Sequence, residues 1–322
     1  MIRRFALLLA PLAALTAGLL FLVAAWYGPG PADKPVRVAV ERGSSLAAAA
    51  YRLERAGAIR SAGLFRRLAP IFGSGAPVKY GEYEIPAGAS AARVLDIVQS
   101  GEALQYRVTI PEGMPSILVH ERLMGEELLT GTIPVPAEGS ILPDTYAFER
   151  GESRAAVVAR MQAAMTKTLA DLWAARKPTT VVKTPEEAII LASVVEKETG
   201  KPSERRMVAG VYSNRLRIGM KLDADPTVIY PVTKGKPLGR RIRRSELRAD
   251  NGYNTYARPG LPRGPIANPG RESIAAVLDP EKTQALFFVA DGTGGHVFAN
   301  TLAEHNANVV KWRAIRRARG EL

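Results

Sequence analysis

The feature that most constrains this chain is a stretch without a charged side chain from Phe5 to Tyr27, directly after Arg3 and Arg4. An α-helix needs about 20 apolar residues to cross the hydrocarbon core of a bilayer. The stretch therefore predicts a transmembrane helix at 5–27. Basic residues next to such a helix stay on the cytoplasmic side, which predicts a cytoplasmic N-terminus at 1–4 and a periplasmic location for everything after the helix.

The end of this stretch favours an uncleaved anchor in the inner membrane. Trp26 and Tyr27 are side chains typical of a membrane interface, and the apolar region of a signal peptide is only about 7–15 residues long. A cleaved signal peptide is the alternative. Residues 28–35, which contain Gly and Pro in alternation, predict a linker.

The chain is basic, with 44 Lys and Arg against 31 Asp and Glu and a formal net charge of +13. Such a charge suits nucleic acid, an anionic membrane or an acidic polymer, and it also follows from arginine-rich codon usage. Because a domain outside the inner membrane rarely meets DNA, we expect no nucleic-acid partner. The absence of cysteine excludes disulfides, thiolate metal ligands and a cysteine nucleophile.

Residues 36–104 predict a small α+β module. The pattern gives a strand, two helices, a second strand and a third helix, at 36–40, 46–57, 61–68, 80–85 and 90–99. A strand–helix–helix–strand unit of this size resembles a LysM-like module, a fold that often binds N-acetylated glycans. A purely structural subdomain is the alternative.

One pattern occurs three times: an apolar strand end, a Gly and then a helix start. Gly adopts turn conformations that other residues resist, so each repeat predicts a tight turn into a helix. The repeats are VAVERGSS at 38–45, YEIPAGAS at 83–90 and VTIPEGMP at 108–115.

Residues 105–322 predict a larger α+β catalytic domain, with an amphipathic helix at 161–175 and its most distinctive helix at 184–200. Thr184 is a favourable N-cap and Glu187 completes a capping box. Gly200 is a favourable C-cap.

The position of Glu198 on this helix indicates a buried acid. At about 100° per residue, Glu198 falls in the middle of an apolar stripe, whereas Glu196 falls on the opposite, solvent side. Burial raises the pKa of a carboxyl towards the range that a general acid needs. A frayed, exposed last turn is the alternative. The stripe consists of Ile190, Leu191, Val194 and Val195.

Several long motifs in one order make the chain similar to the YceG-like endolytic murein transglycosylases. In that family the glutamate directly before Thr in the EKET motif is taken as catalytic, which implies this role for Glu198. The motifs are PEG at 111–113, LPDTY at 142–146, LASVVEKET at 191–199, VYSNRLRIGMKLDADPTVIY at 211–230, YNTYARPGLPRGPIANPG at 253–270 and FFVADGTGGHVFANTLAEHN at 287–306.

This resemblance implies a carbon–oxygen lyase that cuts the MurNAc–GlcNAc bond of peptidoglycan and leaves 1,6-anhydro-MurNAc ends. A single glutamate would act as acid and base, in keeping with the lack of a second acid at an obvious spacing; hydrolytic glycosidases usually use two carboxylates. The resemblance also implies that no cofactor is needed and that the enzyme works beside peptidoglycan synthases, releasing or terminating growing strands.

Polar and aromatic residues of the same motifs are the predicted substrate-binding residues. We expect Asn214 and Arg215 on a helix that Ser203 caps, Asp225 in a turn, and tyrosines that stack on sugar faces. Loops that only shape the chain are the alternative. The predicted set is Thr199, Asn214, Arg215, Asp225, Tyr253, Asn254, Thr255, Tyr256, Asn268, His296 and Asn306.

Two other functions stay open. A non-catalytic peptidoglycan-binding scaffold needs no buried acid. A metal hydrolase would need several ligands to converge, yet Glu196 and Glu198 are two residues apart on a helix and point in different directions, and no HExxH pattern occurs. Its ligands would be Glu196, Glu198, His296 and His305.

Overall fold

The computed structural model describes residues 2–321, with side chains described from residue 11 onwards. The chain divides into two compact units. The first comprises Met1–Arg107, Leu128–Thr130 and Ala147–Ser153, and the second comprises Val108–Glu127, Gly131–Tyr146 and Arg154–Leu322. Helices and short strands mix throughout, which confirms the predicted α+β class.

The first helix, α1, spans Ile2–Tyr27. The predicted cytoplasmic segment 1–4 and the first six residues of the predicted transmembrane stretch lie outside the residues whose side chains are described. Within the described part of the chain, no helix is both long and apolar enough to cross a membrane. The interface position predicted for Trp26 is wrong. Its ring is 1% exposed and packs on Phe65 and Phe72, because the core of the first unit takes its large apolar surface out of water.

The first unit contains the predicted elements in the predicted order. Strand β1 runs antiparallel to β2, with Val38 opposite Tyr83. The side chains of Ser45, Ser61 and Ser90 each accept an N-cap hydrogen bond at the start of a helix. The LysM-like identity stays a prediction. The bounds are β1 Val36–Val40, α2 Leu46–Arg55, α3 Ala62–Phe72, β2 Gly81–Ile85 and α4 Ala91–Ser100.

The turn predicted by the threefold pattern is confirmed. Gly43, Gly88 and Gly113 have φ values of +77°, +67° and +70°, in the left-handed region that favours glycine. Each precedes a helix by three residues: α2, α4 and α5, which spans Ser116–Met124.

The remaining elements follow in chain order, and their strands pair as β3 with β4 and β5 with β6. Their bounds are β3 Gln105–Thr109, β4 Thr145–Glu149, α6 Arg154–Ala174, α7 Pro185–Glu198, α8 Arg205–Arg217, α9 Asp225–Thr233, α10 Arg244–Arg248, α11 Arg271–Leu278, β5 Phe287–Ala290, β6 His296–Ala299 and α12 Leu302–Ala318.

Helix α7 is the centre of the second unit. Helices α6, α8, α9 and α11 pack around it, so that it is buried on more than the single stripe that the periodicity predicts. Ala188, Ile189 and Ala192 are buried although they lie off the stripe, and Ile190 of the stripe is only partly buried. A helix covered on all sides needs no polar face in its middle turns.

Local details differ from prediction at three points. Thr184 caps α7 as expected, with Oγ1 accepting the Glu187 N–H at 3.2 Å, but the C-cap is an extended Thr199 rather than Gly200. Helix α8 follows a 3-10 turn at Pro202–Glu204, so Ser203 does not cap it. Asp225 begins helix α9 rather than a turn, because Pro226 suits the first turn of a helix.

Candidate active site

Glu198 is the last residue of α7, and its carboxyl lines an open cleft of the second unit. The preceding turns of the helix fix its position, because Leu191, Val194 and Val195 are fully buried. The Oε1 atom has less than 1 Å² of accessible surface and no hydrogen-bond partner among the described residues. A buried carboxyl oxygen without a partner is costly in its charged form.

The cleft has a volume of about 410 Å³ and is lined by side chains from α7, α8, the segment before α9, the first residue of α9, the 253–256 loop, β5 and α12. Acids, one arginine and one histidine stand beside aromatic rings, a combination that suits a polar ligand with flat apolar faces, such as a sugar. The lining residues are Glu198, Tyr212, Arg215, Leu222, Asp223, Asp225, Tyr256, Phe287, Phe288, Leu302 and His305.

The environment of Glu198 favours its protonated form near neutral pH. Burial, the largest cause, raises the pKa of Glu198 to about 7, and the negative charge of Asp225 adds to this effect. A hydrogen bond with the Tyr212 hydroxyl and the positive charge of Arg215 act in the opposite direction. A carboxyl with a pKa near 7 can both give and take a proton under physiological conditions.

Asp225 is held at the mouth of the cleft by the loop that contains Tyr256. The Tyr256 hydroxyl donates a hydrogen bond of 2.7 Å to Oδ1 of Asp225. Burial, followed by this hydrogen bond to Asp225, raises the pKa of the Tyr256 hydroxyl. Behind them, Thr255 Oγ1 accepts the Ala224 N–H at 3.1 Å and lies 2.9 Å from the Thr227 hydroxyl. The start of α9 and the loop are therefore fixed to each other.

Arg215 also lines the cleft and binds backbone carbonyls. Its Nε donates to the Leu286 carbonyl at 2.6 Å and its Nη1 to the Leu222 carbonyl at 2.7 Å. The guanidinium carbon lies 5.3 Å from the centre of the Phe287 ring, a cation–π distance. One buried cation thus ties the loop after α8 to strand β5 and contributes positive charge near Glu198.

His305 reaches the cleft from α12. Its ring stacks on Phe287 at a centroid distance of 5.2 Å and an interplanar angle of 24°. The Nδ1 atom is buried and has no partner among the described residues. Burial and then the Arg215 charge lower the pKa of His305, so the ring is neutral at pH 7.

The structure brings four of the predicted site residues together: Glu198, Arg215, Asp225 and Tyr256 all line the cleft. This grouping agrees with the predicted site, although contact with substrate stays a prediction for each of them.

Other predicted substrate-binding residues use their polar atoms on the protein's own backbone. The Asn214 amide donates to Thr283 and Ala285 carbonyls. The Asn254 amide donates to three backbone carbonyls and its oxygen accepts the Tyr256 N–H. Asn and Thr in loops satisfy buried backbone groups as readily as they bind ligands. Thr199, Thr255 and Asn268 belong to the same group, since their side-chain oxygens accept the N–H groups of Lys201, Ala224 and Ile141.

The last three predicted residues lie away from the cleft lining. Tyr253 packs on Tyr230, with ring centroids 4.9 Å apart. His296 lies 2.8 Å from Glu204 through Nδ1, and its ring meets Phe288 edge-on. Asn306 is exposed on α12, while its neighbour His305 takes the position in the cleft.

Sequence reasoning missed Tyr212, Asp223, Phe287, Phe288 and the cleft role of His305. Tyr212 and Arg215 are one turn apart on α8, so the helical spacing of the motif at 211–230 was a usable signal. Phe287 and Phe288 gave no such signal, because apolar residues in a strand pattern predict a position in the hydrophobic core.

The ligands of the metal-hydrolase alternative do not converge. The Glu196 carboxylate accepts the Gly270 N–H at 2.8 Å and lies 3.5 Å from the Arg205 guanidinium. Its side chain is only 5% exposed, so the predicted solvent position of Glu196 is wrong: α8 and the loop before α11 cover it. His296 is paired with Glu204, away from Glu198.

Comparison with known proteins assigns most of the chain to one group. The profile of the YceG-like family matches residues 38–311. A crystal structure at 2.6 Å of a Listeria monocytogenes protein described as YceG-like superposes with a TM-score of 0.53 and 27% sequence identity, covering 85% of this chain and 98% of that one.

Two curated relatives carry the name endolytic murein transglycosylase. The protein from Bacillus subtilis (strain 168) is 34% identical over 180 residues, which is 56% of this chain and 49% of the relative. The protein from Streptococcus pneumoniae serotype 2 (strain D39) is 28% identical over 327 aligned positions, covering 86% of this chain and 58% of the relative. The chain thus spans about half the length of the curated relatives that it matches.

Proposed function

This chain belongs to the YceG-like family, and we propose that it is an endolytic peptidoglycan lytic transglycosylase with Glu198 as its acid and base. The observation that carries the proposal is one carboxyl at the end of α7, with its Oε1 atom buried, whose pKa is about 7 and which lines an open polar cleft. The names of the two curated relatives support the substrate class.

In the first step, protonated Glu198 gives its proton to the oxygen of the MurNAc–GlcNAc bond. The bond breaks with its electron pair on that oxygen, and positive charge develops on the MurNAc ring. The acetamido group of the same sugar stabilises this cation. The Asp225 carboxylate, held by Tyr256, places negative charge at the cleft where the cation forms.

In the second step, ionised Glu198 takes the proton from the C6 hydroxyl of the same MurNAc. The C6 oxygen bonds to C1 and closes a 1,6-anhydro ring, so no water is consumed and Glu198 returns to its protonated form. A group whose pKa lies near 7 suits both directions of proton transfer. Tyr212, which hydrogen-bonds to Glu198, keeps the carboxyl oriented through the cycle.

A second candidate is hydrolysis of the same bond. It is favoured by one observation that sequence spacing did not reveal: Asp223 and Asp225 line the cleft together with Glu198. Hydrolytic glycosidases usually use two carboxyl groups, of which the second activates a water molecule or attacks the sugar.

Product analysis separates these candidates. The full-length chain in detergent should be used, because Trp26 belongs to the core of the first unit. Digestion of purified peptidoglycan followed by mass spectrometry should give 1,6-anhydro-MurNAc ends if the lytic reaction is correct. Reducing ends would favour the hydrolase, and glycan binding without any cleavage would favour the non-catalytic scaffold.

We further propose the cellular setting that the sequence predicts. The uncharged stretch 5–27 would anchor the chain in the inner membrane, with the catalytic domain in the periplasm and peptidoglycan synthases as partners. Protease accessibility in spheroplasts tests the orientation, and in vivo crosslinking tests the synthase contact. Protection of the second unit from external protease, or the absence of synthase crosslinks, would contradict the respective claim.

A further inference from the structure

A second concave site of the same unit lies beside the cleft, and the mechanism above does not use it. This groove has a volume of about 410 Å³, within the range of small-molecule sites. One of its walls is the PEG turn at 111–113, a motif that catalysis leaves unexplained. The groove is defined by the apolar side chains of Met114, Leu118, Ile229 and Leu238 and by the basic side chains of Lys197 and Lys236.

The groove and the cleft share a partition. Lys197 lines the groove and Glu198, the next residue, lines the cleft; Asp225 lines the cleft and Pro226, the next residue, lines the groove. Neighbouring Cα atoms in a chain are about 3.8 Å apart. The end of α7 and the start of α9 are thus all that separates the two sites, and a side branch of a polymer bound at Glu198 would have to pass over this partition to enter the groove.

The charge of the groove is positive. Lys197 Nζ makes one long contact, 3.4 Å to the Gly113 carbonyl, and an ammonium group has three donors. Lys236 Nζ lies 2.5 Å from Glu121, so an anionic ligand would share Lys236 with this surface acid, whereas Lys197 has no acid partner in the described residues. The acid in the groove wall, Glu112, lies 2.5 Å from Arg205 and is neutralised by it. The groove thus offers ammonium donors to an anionic ligand above an apolar wall.

The walls of the groove pack against each other without a ligand. Gly113 and Gly235 both adopt positive φ values, +70° and +85°. A Cβ at Gly235 would lie 2.6 Å from the Cβ of Pro115, so the two turns are in close contact. Pre-formed walls reduce the ordering cost of binding.

We propose that this groove binds the peptide branch of the glycan strand, a short peptide with small apolar side chains and free carboxylates. The proposal rests on the proposed function for the identity of the polymer. The apolar wall would take the side chains, and Lys197 and Lys236 would pair with carboxylates. The enzyme would then prefer strands that still carry their peptides.

The test compares peptide-bearing strands with the same strands after an amidase has removed the peptides, using the full-length chain. We expect kcat/KM to be higher on peptide-bearing strands, and Lys236→Gln and Leu238→Asp each to lower this preference about fivefold, the scale of one lost contact. Lys183→Gln changes an exposed lysine just before the N-cap of α7; it is the matched control and should leave the preference unchanged. Equal rates on both substrates, or a preference unchanged in both groove variants, would overturn the proposal.

A binding measurement keeps this test separate from the proposed function. Calorimetry with free stem peptide and the Glu198→Gln chain should show binding that Lys236→Gln weakens about fivefold. That result would support the groove even if the wild type cut no glycan. If the Glu198→Gln chain does not bind the peptide, or binds it equally well with and without Lys236→Gln, the groove is not the peptide site, even if the wild type cuts glycan.

Discussion

The hydroxyl of Tyr256 donates a hydrogen bond of 2.7 Å to the carboxylate of Asp225, and both side chains line the cleft of Glu198. The negative charge of Asp225 raises the pKa of Glu198, so this pair couples a loop, the start of α9 and the end of α7. The pKa of Glu198 therefore depends on the charges of its neighbours in the cleft as well as on burial.

Replacing Tyr256 by Phe tests this coupling. The variant keeps the ring and removes the donor, so that Asp225 is free to turn away from the substrate. We expect kcat/KM to fall about tenfold, equivalent to about 1.4 kcal/mol. Steady-state cleavage assays measure the change, and Tyr253→Phe, outside the cleft lining, is the matched control. Equal activity of Tyr256→Phe and the wild type would show that the hydrogen bond has no role in the reaction.

The pH dependence of activity follows from the pKa of Glu198. The acid step needs the protonated form, which is lost as the pH rises through about 7. We expect kcat/KM to fall about tenfold per pH unit well above that value. A pH–rate profile of the full-length chain measures it. Constant activity up to pH 9 would mean that no group with this pKa gives the proton.

The same pKa predicts a cost in stability. Glu198 has a pKa of about 7 in the folded chain against the ordinary value of 4.5 for a glutamate, so the folded state holds the proton more tightly. The free energy of unfolding therefore falls as the pH rises from 4.5 to 7, by about 3 kcal/mol in total. The Glu198→Gln chain does not show this fall in the free energy of unfolding, because glutamine does not ionise.

Denaturant unfolding at two pH values checks the prediction. At pH 8 the Glu198→Gln chain should be more stable than the wild type by up to about 3 kcal/mol, and at pH 4.5 the advantage should vanish. An advantage of equal size at both pH values would indicate a packing effect instead of proton linkage.

Glu196 is expected to matter for folding rather than for chemistry. Its carboxylate joins the Gly270 N–H and the Arg205 guanidinium, and the side chains of both charged residues are largely buried. Glu196→Ala leaves a buried cation without one of its partners, so we expect a loss of about 3 kcal/mol. Thermal unfolding measures it. A change below about 0.5 kcal/mol, the scale of surface substitutions, would contradict this role.

Local patterns predicted what depends on one element. The N-cap Thr184 and the Gly turns that precede three helices were predicted, because capping and positive φ are local requirements. The end position of Glu198 on α7 was predictable for the same reason.

What depends on the tertiary fold escaped prediction. Asp223 is 25 residues from Glu198 in the chain, and only the tertiary fold brings both carboxyls to the same cleft. Glu196 points away from the apolar stripe and is nevertheless covered, since a helix's own periodicity does not show its neighbours. Asparagine is a residue type common in ligand-binding sites, yet the side-chain amides of Asn254 and Asn268 donate hydrogen bonds to backbone carbonyls of the protein itself.

The most direct test of the account is the cleavage rate of Glu198→Gln beside Glu186→Gln, both on α7. Glu186 is exposed in the first turn of the helix and lies outside the cleft lining. We predict that Glu198→Gln loses activity by about 10²-fold or more, as expected for a general acid and base, while Glu186→Gln keeps the wild-type rate and both chains keep the wild-type circular dichroism spectrum. Glycan cleavage by Glu198→Gln at the wild-type rate would contradict the assignment of Glu198.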